Sequence, residues 1–171
     1  MYSLIVGLGN PGKEYIKSRH NVGFLFLDYC IDKIGLNHNE FLFNKNFNAD
    51  IFKYNNIILA KPMTFMNDSG DSVSKIFNYY KGDFKNIYVV YDDLDISFGK
   101  FKITDSRPKT HNGVNSILSH IDNFISIRIG INTELKSKYD PVDYVLSNFA
   151  KTELDELHLL FEEVFNRLEI S

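Results

Sequence analysis

The sequence has no tryptophan, a single cysteine and only four prolines among its 171 residues. One cysteine cannot form an internal disulfide, which excludes the disulfide-stabilised scaffolds of small secreted proteins. No apolar run approaches the ~18 residues of a membrane-spanning helix, and the opening residues are too short and too uncharged at their start for a signal peptide. These absences predict a soluble, cytoplasmic protein without membrane contact.

A basic excess, the usual mark of a nucleic-acid-binding protein, is also missing, because the net charge is −3. The charges are unevenly distributed, however. Residues 97–138 carry seven Lys or Arg against three acids, a local charge of +4, whereas residues 152–171 carry six acids against Arg167, a local charge of −5. A basic stretch is most often only a solvated surface, but an acidic segment can hide a basic face from the total.

Hydrophobic patterning predicts strands and helices in alternation. Strands are expected at residues 2–8, 87–91, 99–104 and 126–132, and two more within 47–61 are joined at Asn55-Asn56. Helices are expected at residues 22–34, 67–81 and 114–121, and an amphipathic closing helix has its apolar stripe from Leu154 to Leu168. This order predicts a single-domain α/β fold over residues 1–171, a three-layer sandwich in which a twisted mixed β-sheet is flanked by helices.

The first predicted strand ends in a glycine motif, GLGNPG at residues 7–12. It matches the G-x-G-x-x-G pattern of dinucleotide-binding proteins, in which the motif opens directly into a helix. Here residues 13–19 are polar, and the helical pattern begins only after His20. The glycines are better explained by a tight loop that presents Asn10. A nucleotide-dependent oxidoreductase is an alternative that rests on this pattern alone.

His20 lies where that polar loop meets the first predicted helix, and Asp92 follows the strand predicted at 87–91. Open α/β sheets place their ligands at the carboxyl ends of strands, which makes Asp92 a candidate partner for His20. A carboxylate that accepts the Nδ1–H of an imidazole leaves Nε2 free to take a proton from water. The alternative, which holds for most lone histidines, is a surface or capping residue.

Residues 92–95 (DDLD) are interpreted as an acidic turn after that strand. Its carboxylates could instead hold Mg²⁺ through their oxygens. No second acidic cluster supplies the remaining ligands, and we therefore expect no metal ion.

Three of the eighteen asparagines fall at junctions between predicted elements: Asn10 after the first strand, Asn67 at the start of the second helix and Asn112 before the third. Each one alone is explained as a helix cap or a turn residue. Together they would give a pocket neutral amides, which suit an ester or peptide carbonyl better than a phosphate.

Six sequence blocks occur in a fixed order along the chain. They are residues 5–12 with Tyr15, 19–23, 61–67 followed by Ser69 and Gly70, 92–95, 111–113, and 128–131. This combination resembles the bacterial-type peptidyl-tRNA hydrolases, and the resemblance extends from Leu4 to about Phe149.

The resemblance implies a monomeric, metal-free and cofactor-free esterase whose partner is peptidyl-tRNA. Such an enzyme cuts the bond between the peptide's C-terminal residue and the terminal ribose, which recycles tRNA for translation. By the same resemblance, His20 is the general base, Asp92 holds it in its basic form, and Asn10 contacts the peptide and helps to distinguish blocked from free aminoacyl-tRNA. The remaining implied contacts are Tyr15, Phe65, Asn67 and Asn112 lining the tRNA and peptide site, Met66 packing beside it, and Lys102 and Arg128 gripping tRNA phosphate.

The sequence departs from the family before His111, where residues 104–110 (TDSRPKT) replace a glycine-rich run. Pro108 and the neighbouring side chains are expected to stiffen and fill this loop. The departure is the one support for an alternative function, that of an RNA-binding relative without hydrolase activity.

Overall fold

The structure, a computed structural model, describes residues 1–107 and 110–168. The strands are β1 (Tyr2–Gly7), β2 (Leu42–Asn44), β3 (Ala49–Tyr54), β4 (Ile57–Pro62), β5 (Phe84–Ser97), β6 (Phe101–Thr104) and β7 (Ile125–Asn132). The helices are α1 (Val22–Lys33), α2 (Ser69–Tyr79), α3 (Asn112–Leu118), α4 (Pro141–Leu146) and α5 (Lys151–Arg167). Within these described ranges, no helix is both long enough and apolar enough to span a bilayer.

The seven strands form a mixed sheet in the order β2-β3-β4-β1-β5-β7-β6. The four central strands, β4, β1, β5 and β7, run parallel, and the outer strands pair antiparallel. Helices α1 and α5 pack on one face of the sheet, where the Phe26 and Phe161 rings meet at 5.4 Å. Helices α2 and α3 pack on the other face through Ile76 and Ile117. The predicted three-layer α/β sandwich is therefore confirmed.

The apolar run of β1 follows from its central position. Leu4 and Val6 belong to the core under α2 and α3, whereas Ile5 belongs to the core under α1 and α5. A strand covered on both faces loses the alternation of apolar and polar residues. The carboxyl end of β1 is therefore enclosed between two layers of helices.

Strand β5 is longer than predicted, and the acidic turn expected at residues 92–95 is wrong. Pairing with β7 continues through Asp92 opposite Ile129 and Asp93 opposite Gly130. Successive side chains of a strand point to opposite sides, so the two carboxylates diverge and do not form one magnesium site. The acidic residues suggested a turn. In the structure, the Asp92 carboxylate contacts two histidines and the Asp93 carboxylate contacts Arg128, and both residues lie within the strand.

Two elements were not predicted, β2 and α4. They have three and six residues, which is too short to show a hydrophobic period. The α4 helix begins at Pro141, a residue favoured in the first turn because its missing N–H is not needed there.

The glycine motif forms a loop, as predicted, and leads into a short 3-10 turn at Lys13–Tyr15. Two glycines then bring α1 against the end of β1. A Cβ atom on Gly7 would lie 2.4 Å from the carbonyl oxygen of Gly23, and a Cβ atom on Gly23 would lie 2.4 Å from the nitrogen of Leu8. This close approach sets the 3-10 turn Arg19–Asn21, which precedes α1, beside the carboxyl ends of β1 and β5.

The expected stiffening of the 104–110 loop depends on Pro108, which lies with Lys109 outside the described residues. At the start of that loop, Nη2 of Arg107 donates to the carbonyl oxygen of Phe124 at 2.7 Å. The Arg107 guanidinium also lies over the Phe124 ring, 4.4 Å from its centroid. Arg107 therefore fastens the loop to the residue that precedes β7.

Candidate active site

A cleft of about 230 Å³ opens at the carboxyl end of β1, beside residues 92–95 in the carboxyl-terminal half of β5. Open α/β sheets bind ligands near the carboxyl ends of their strands. Polar side chains form its floor and apolar side chains of α4 form one wall. The lining residues are Asn10, His20, Asp92, Asp93, Leu94, Asp95, Thr110, His111, Asn112, Pro141, Val142, Val145 and Leu146.

The predicted pairing of His20 with Asp92 is present at the floor of this cleft. Nδ1 of His20 lies 2.9 Å from Oδ1 and 3.0 Å from Oδ2 of Asp92. The imidazole is 12% exposed and the carboxylate 2% exposed. With the Nδ1 proton donated to the carboxylate, Nε2 is the nitrogen that carries a lone pair.

Sequence reasoning did not single out His111, which is the second imidazole on the same carboxylate. The backbone N–H of Val114 donates to Nδ1 of His111 at 3.3 Å. A backbone N–H can only donate, so the ring carries its proton on Nε2, which lies 2.9 Å from Oδ1 of Asp92. The only signal for this contact in the sequence was the position of His111 before α3, which is equally typical of a helix cap.

The contacts around Asp92 shift the pKa values of the pair in opposite directions. Burial alone lowers the pKa of His20, but the charge and hydrogen bonds of Asp92 raise it by more, so the pKa lies above its ordinary value. Burial raises the pKa of Asp92, yet the two histidines outweigh this effect and hold the pKa well below its usual range. Asp92 is therefore an anion throughout the pH range in which His20 gains and loses its proton.

Asn10 is held by bonds that fix the orientation of its amide. Its Oδ1 accepts the backbone N–H of Met66 at 2.7 Å, which leaves Nδ2 as the donor group at the cleft. The side chain of Asn21 makes two hydrogen bonds to the main chain of Asn10. Its Oδ1 accepts the Asn10 N–H at 2.8 Å, and its Nδ2 donates to the Asn10 carbonyl oxygen at 2.9 Å. Asn21 occupies the N-cap position of α1, but its side chain bonds to the main chain of Asn10 and makes no cap bond.

The other predicted residues for peptide and tRNA lie at different distances from the floor of the cleft. Asn112 lines the cleft and is exposed. Met66 is buried and reaches the site through its backbone contact with Asn10. The described residues that line the cleft do not include Tyr15, Phe65 or Asn67. Phe65 is 60% exposed, and Asn67 is exposed next to Met66 in the sequence.

Lys102 and Arg128 are directly opposite each other on the antiparallel strands β6 and β7. Lys102 is exposed. Arg128 is less free, because its Nε donates to Oδ2 of Asp93 at 2.6 Å and its side chain is only 15% exposed. Through this ion pair, Arg128 is connected to Asp93, the neighbour of Asp92 on β5.

His20, Asp92 and His111 are also residue types that bind metals. One ligand atom from each lies within 4.8 Å of the others, and no other such group occurs in the part of the chain that the structure describes. Two imidazoles and a carboxylate suit Zn²⁺. In the present geometry, however, both ring nitrogens that face Asp92 lie at hydrogen-bond distance, so a metal would have to displace two donated protons. This geometry favours proton transfer over metal binding as the chemistry of the three residues.

The chain is similar to known proteins over nearly its whole length. A model of the family described as peptidyl-tRNA hydrolase matches residues 4–171. The peptidyl-tRNA hydrolase of Aliarcobacter butzleri is 43% identical over 169 residues, which cover 97% of this chain and 90% of that protein. The peptidyl-tRNA hydrolase of Fusobacterium nucleatum is 40% identical over 166 residues, which cover 95% and 85% of the two chains.

Solved structures of peptidyl-tRNA hydrolases also share the fold. One, a complex with N-propanol, has a TM-score of 0.83 and 32% identity, and the match covers 97% of this chain and 86% of that one. Another, from Acinetobacter baumannii, has a TM-score of 0.83 and 31% identity, with 99% and 87% covered.

The family resemblance inferred from the six sequence blocks is thus confirmed. The alternative of an RNA-binding relative without hydrolase activity finds no support among these proteins, each of which is named as a hydrolase. The chain belongs to the peptidyl-tRNA hydrolase family, an enzyme family whose function is the hydrolysis of peptidyl-tRNA.

Proposed function

We propose that this protein hydrolyses the ester bond between a peptide, or an N-blocked aminoacyl group, and tRNA, with His20 as the general base. The observation that carries the proposal is the contact of His20 Nδ1 with the buried Asp92 carboxylate at 2.9 Å. This contact fixes the tautomer in which Nε2 can accept a proton, and it stabilises the imidazolium that forms.

The reaction starts when Nε2 of His20 takes a proton from a water molecule whose oxygen attacks the ester carbonyl carbon. The carbonyl oxygen becomes a tetrahedral oxyanion, which the amide of Asn10 and the amide of Asn112 stabilise as neutral donors. The oxyanion then collapses, the bond to the ribose oxygen breaks, and that oxygen takes the proton from His20. The products are a peptide with a free carboxyl group and a tRNA with a free terminal hydroxyl.

His111 supports this cycle from outside the reacting atoms, through its contact with Asp92. It donates its proton to Asp92 and thereby helps to keep the carboxylate ionised in a buried position. Asp92 then stabilises the positive charge that appears on His20 when the water is deprotonated.

The apolar wall of the cleft and the basic residues outside it support different positions for the two parts of the substrate. The apolar wall formed by Leu94, Val142, Val145 and Leu146 suits the peptide, and Val142 is 69% exposed. The phosphate contacts of tRNA are proposed for Lys102 and Arg128. Tyr15, Phe65, Asn67 and Asn112 are proposed to line the tRNA and peptide site, with the buried Met66 packing beside it. We further propose that residues 1–171 act as a single-domain monomer in the cytoplasm, without a cofactor.

The test is to replace His20 by alanine and to measure turnover and tRNA binding separately. General-base catalysis typically contributes about 10²- to 10⁴-fold, and we expect a turnover loss of that size with binding nearly intact. His158→Ala, which alters an exposed histidine on α5, serves as the control. Turnover equal to that of the unaltered protein in His20→Ala would show that His20 is not the base.

A further inference from the structure

The residue before the base, Arg19, is almost completely buried although it carries a full charge. Its side chain is 2% exposed, and none of the reaction steps above uses it. A buried guanidinium is retained only where its donors are paired. Its partners therefore show what Arg19 holds together.

Among the described residues, the partners of the Arg19 side chain lie on α4, on α5 or between them. Nη1 and Nη2 donate to the two carboxylate oxygens of Glu153 at 3.1 and 2.9 Å, and Nε donates to Oγ of Ser147 at 3.2 Å. The guanidinium lies between the rings of Tyr144 and Phe149, at 4.8 and 5.0 Å from their centroids. A planar guanidinium that is paired with a carboxylate and stacked between two rings leaves the Arg19 side chain little freedom to move.

The backbone makes the same connection. The N–H of Arg19 donates to the carbonyl oxygen of Ser147 at 2.9 Å, and the N–H of Phe149 donates to the carbonyl oxygen of Lys17 at 2.9 Å. Between them, Ser18 forms an antiparallel bridge with Asn148. The segment before His20 is therefore fastened to the segment that follows α4.

The α4 helix is itself the apolar wall of the cleft. Its inner residue Tyr144 is fully buried and donates its hydroxyl to the carbonyl oxygen of Ile131, at the end of β7, at 2.5 Å. On the other side of the base, Asn21 holds Asn10. His20 is consequently bracketed by two rigid contacts, one to the polar floor and one to the apolar wall.

We propose that Arg19 is a positioning residue, which fixes His20 against Asp92 and ties its position to the α4 wall of the cleft. Its role as an aid to catalysis rests on the proposed function. The position of His20 against Asp92 can be followed without measuring turnover.

The experiment compares Arg19→Met with Arg19→Lys, and Lys33→Met is the matched control. Lys33 forms another long-range ion pair with α5, to Glu162 at 2.7 Å, but on the exposed surface. Two readouts are taken: kcat and KM with an N-blocked aminoacyl-tRNA, and the titration of the His20 imidazole followed by NMR. Thermal unfolding identifies any variant that does not fold.

Misplacement of a catalytic group by about 1 Å can cost about 10²-fold in rate. We therefore expect Arg19→Met to lower kcat by about 10- to 100-fold with KM changed by less than about threefold. The His20 imidazole should titrate at lower pH, because the contact with Asp92 that raises its pKa is loosened. Arg19→Lys should restore part of the kcat and part of the shift in the His20 titration, because lysine keeps the charge but lacks the bidentate guanidinium. Lys33→Met should change neither quantity.

A folded Arg19→Met protein with the original kcat and the original His20 titration would overturn the proposal. If Arg19→Met does not fold, Glu153→Gln, which removes the charge of the partner, must show the same two shifts, and their absence would equally overturn it. If the unaltered protein does not cleave the substrate at all, the proposed function fails, while a shifted His20 titration in Arg19→Met would still support the positioning role.

Discussion

Nε2 of His111 donates to the same Asp92 oxygen, Oδ1, that receives the Nδ1 proton of His20, with both contacts at 2.9 Å. One buried carboxylate is thus shared by two imidazoles that differ in their freedom. His111 is fixed as a donor by the N–H of Val114, whereas His20 has a nitrogen free for the substrate. The asymmetry explains why one histidine is suited to be the base and the other to support the anion.

Asp92→Asn should alter both the rate and its pH dependence. Burial lowers the pKa of His20, and only the charge and hydrogen bonds of Asp92 raise it above its ordinary value. The base works in its neutral form, so activity rises as the pH rises through this pKa. Without the carboxylate, we expect the acid limb of the kcat/KM profile to move to lower pH and kcat to fall by about 10²- to 10⁴-fold.

The pH profile separates this effect from a general loss of structure, because damage to the fold lowers the rate without moving the limb to lower pH. An acid limb in Asp92→Asn at the same pH as in the unaltered protein would contradict the assigned relationship between His20 and Asp92.

Asn10→Asp tests the amide as a donor while keeping its shape. The oxygen that accepts the Met66 N–H is retained, and the bonds to Asn21 involve the main chain, so the fold should survive. The donor Nδ2 is replaced by a carboxylate oxygen. Loss of one oxyanion donor typically lowers the rate about 10²- to 10³-fold, and we expect kcat to fall at least that far.

Asn123→Asp, at an exposed position outside the cleft, controls for the added charge. Equal rates in both variants would exclude Asn10 from the reaction.

Lys102→Ala tests the proposed phosphate contact by its salt dependence. Each neutralised phosphate contributes about 0.9 to the slope of log K against log salt concentration, so the variant should bind tRNA more weakly with a slope smaller by about 1. Lys85→Ala, an exposed lysine near the amino end of β5, is the control. Identical slopes in the two variants would remove Lys102 from the phosphate site. Lys102 is a cleaner probe than Arg128, whose removal would leave the buried Asp93 carboxylate without its ion-pair partner.

Much of the fold and part of the site could be predicted from local patterns. The apolar run of β1 shows that both sides of this strand are buried, and the apolar stripe of α5 shows which side of this helix is buried. Both patterns can be recognised within a single element. The rule that ligand sites form where parallel strands end made Asp92 a candidate partner for His20, and the structure brings the two side chains together. Asn10 was identified for the same reason, because it follows β1.

The features that were missed depend on contacts between distant parts of the chain. Asp92 and Asp93 lie within β5, where His20 and His111 contact the first carboxylate and Arg128 contacts the second. No local acidic pattern reveals these contacts. His111 caps α3 through Nδ1, as its position before the helix suggests, and no local pattern shows that Nε2 also contacts Asp92. The burial of Arg19 likewise depends on Glu153, which lies 134 residues further along the chain.

Metal-free hydrolysis at the His20–Asp92 site is measured by incubating the protein with an N-blocked aminoacyl-tRNA and, separately, with the same aminoacyl-tRNA bearing a free amine, each with and without EDTA. A base that relies on Asp92 and not on a metal predicts release of free tRNA from the blocked substrate alone, at the same rate with and without the chelator. No cleavage of the blocked substrate, equal cleavage of both substrates, or activity abolished by EDTA would contradict this account.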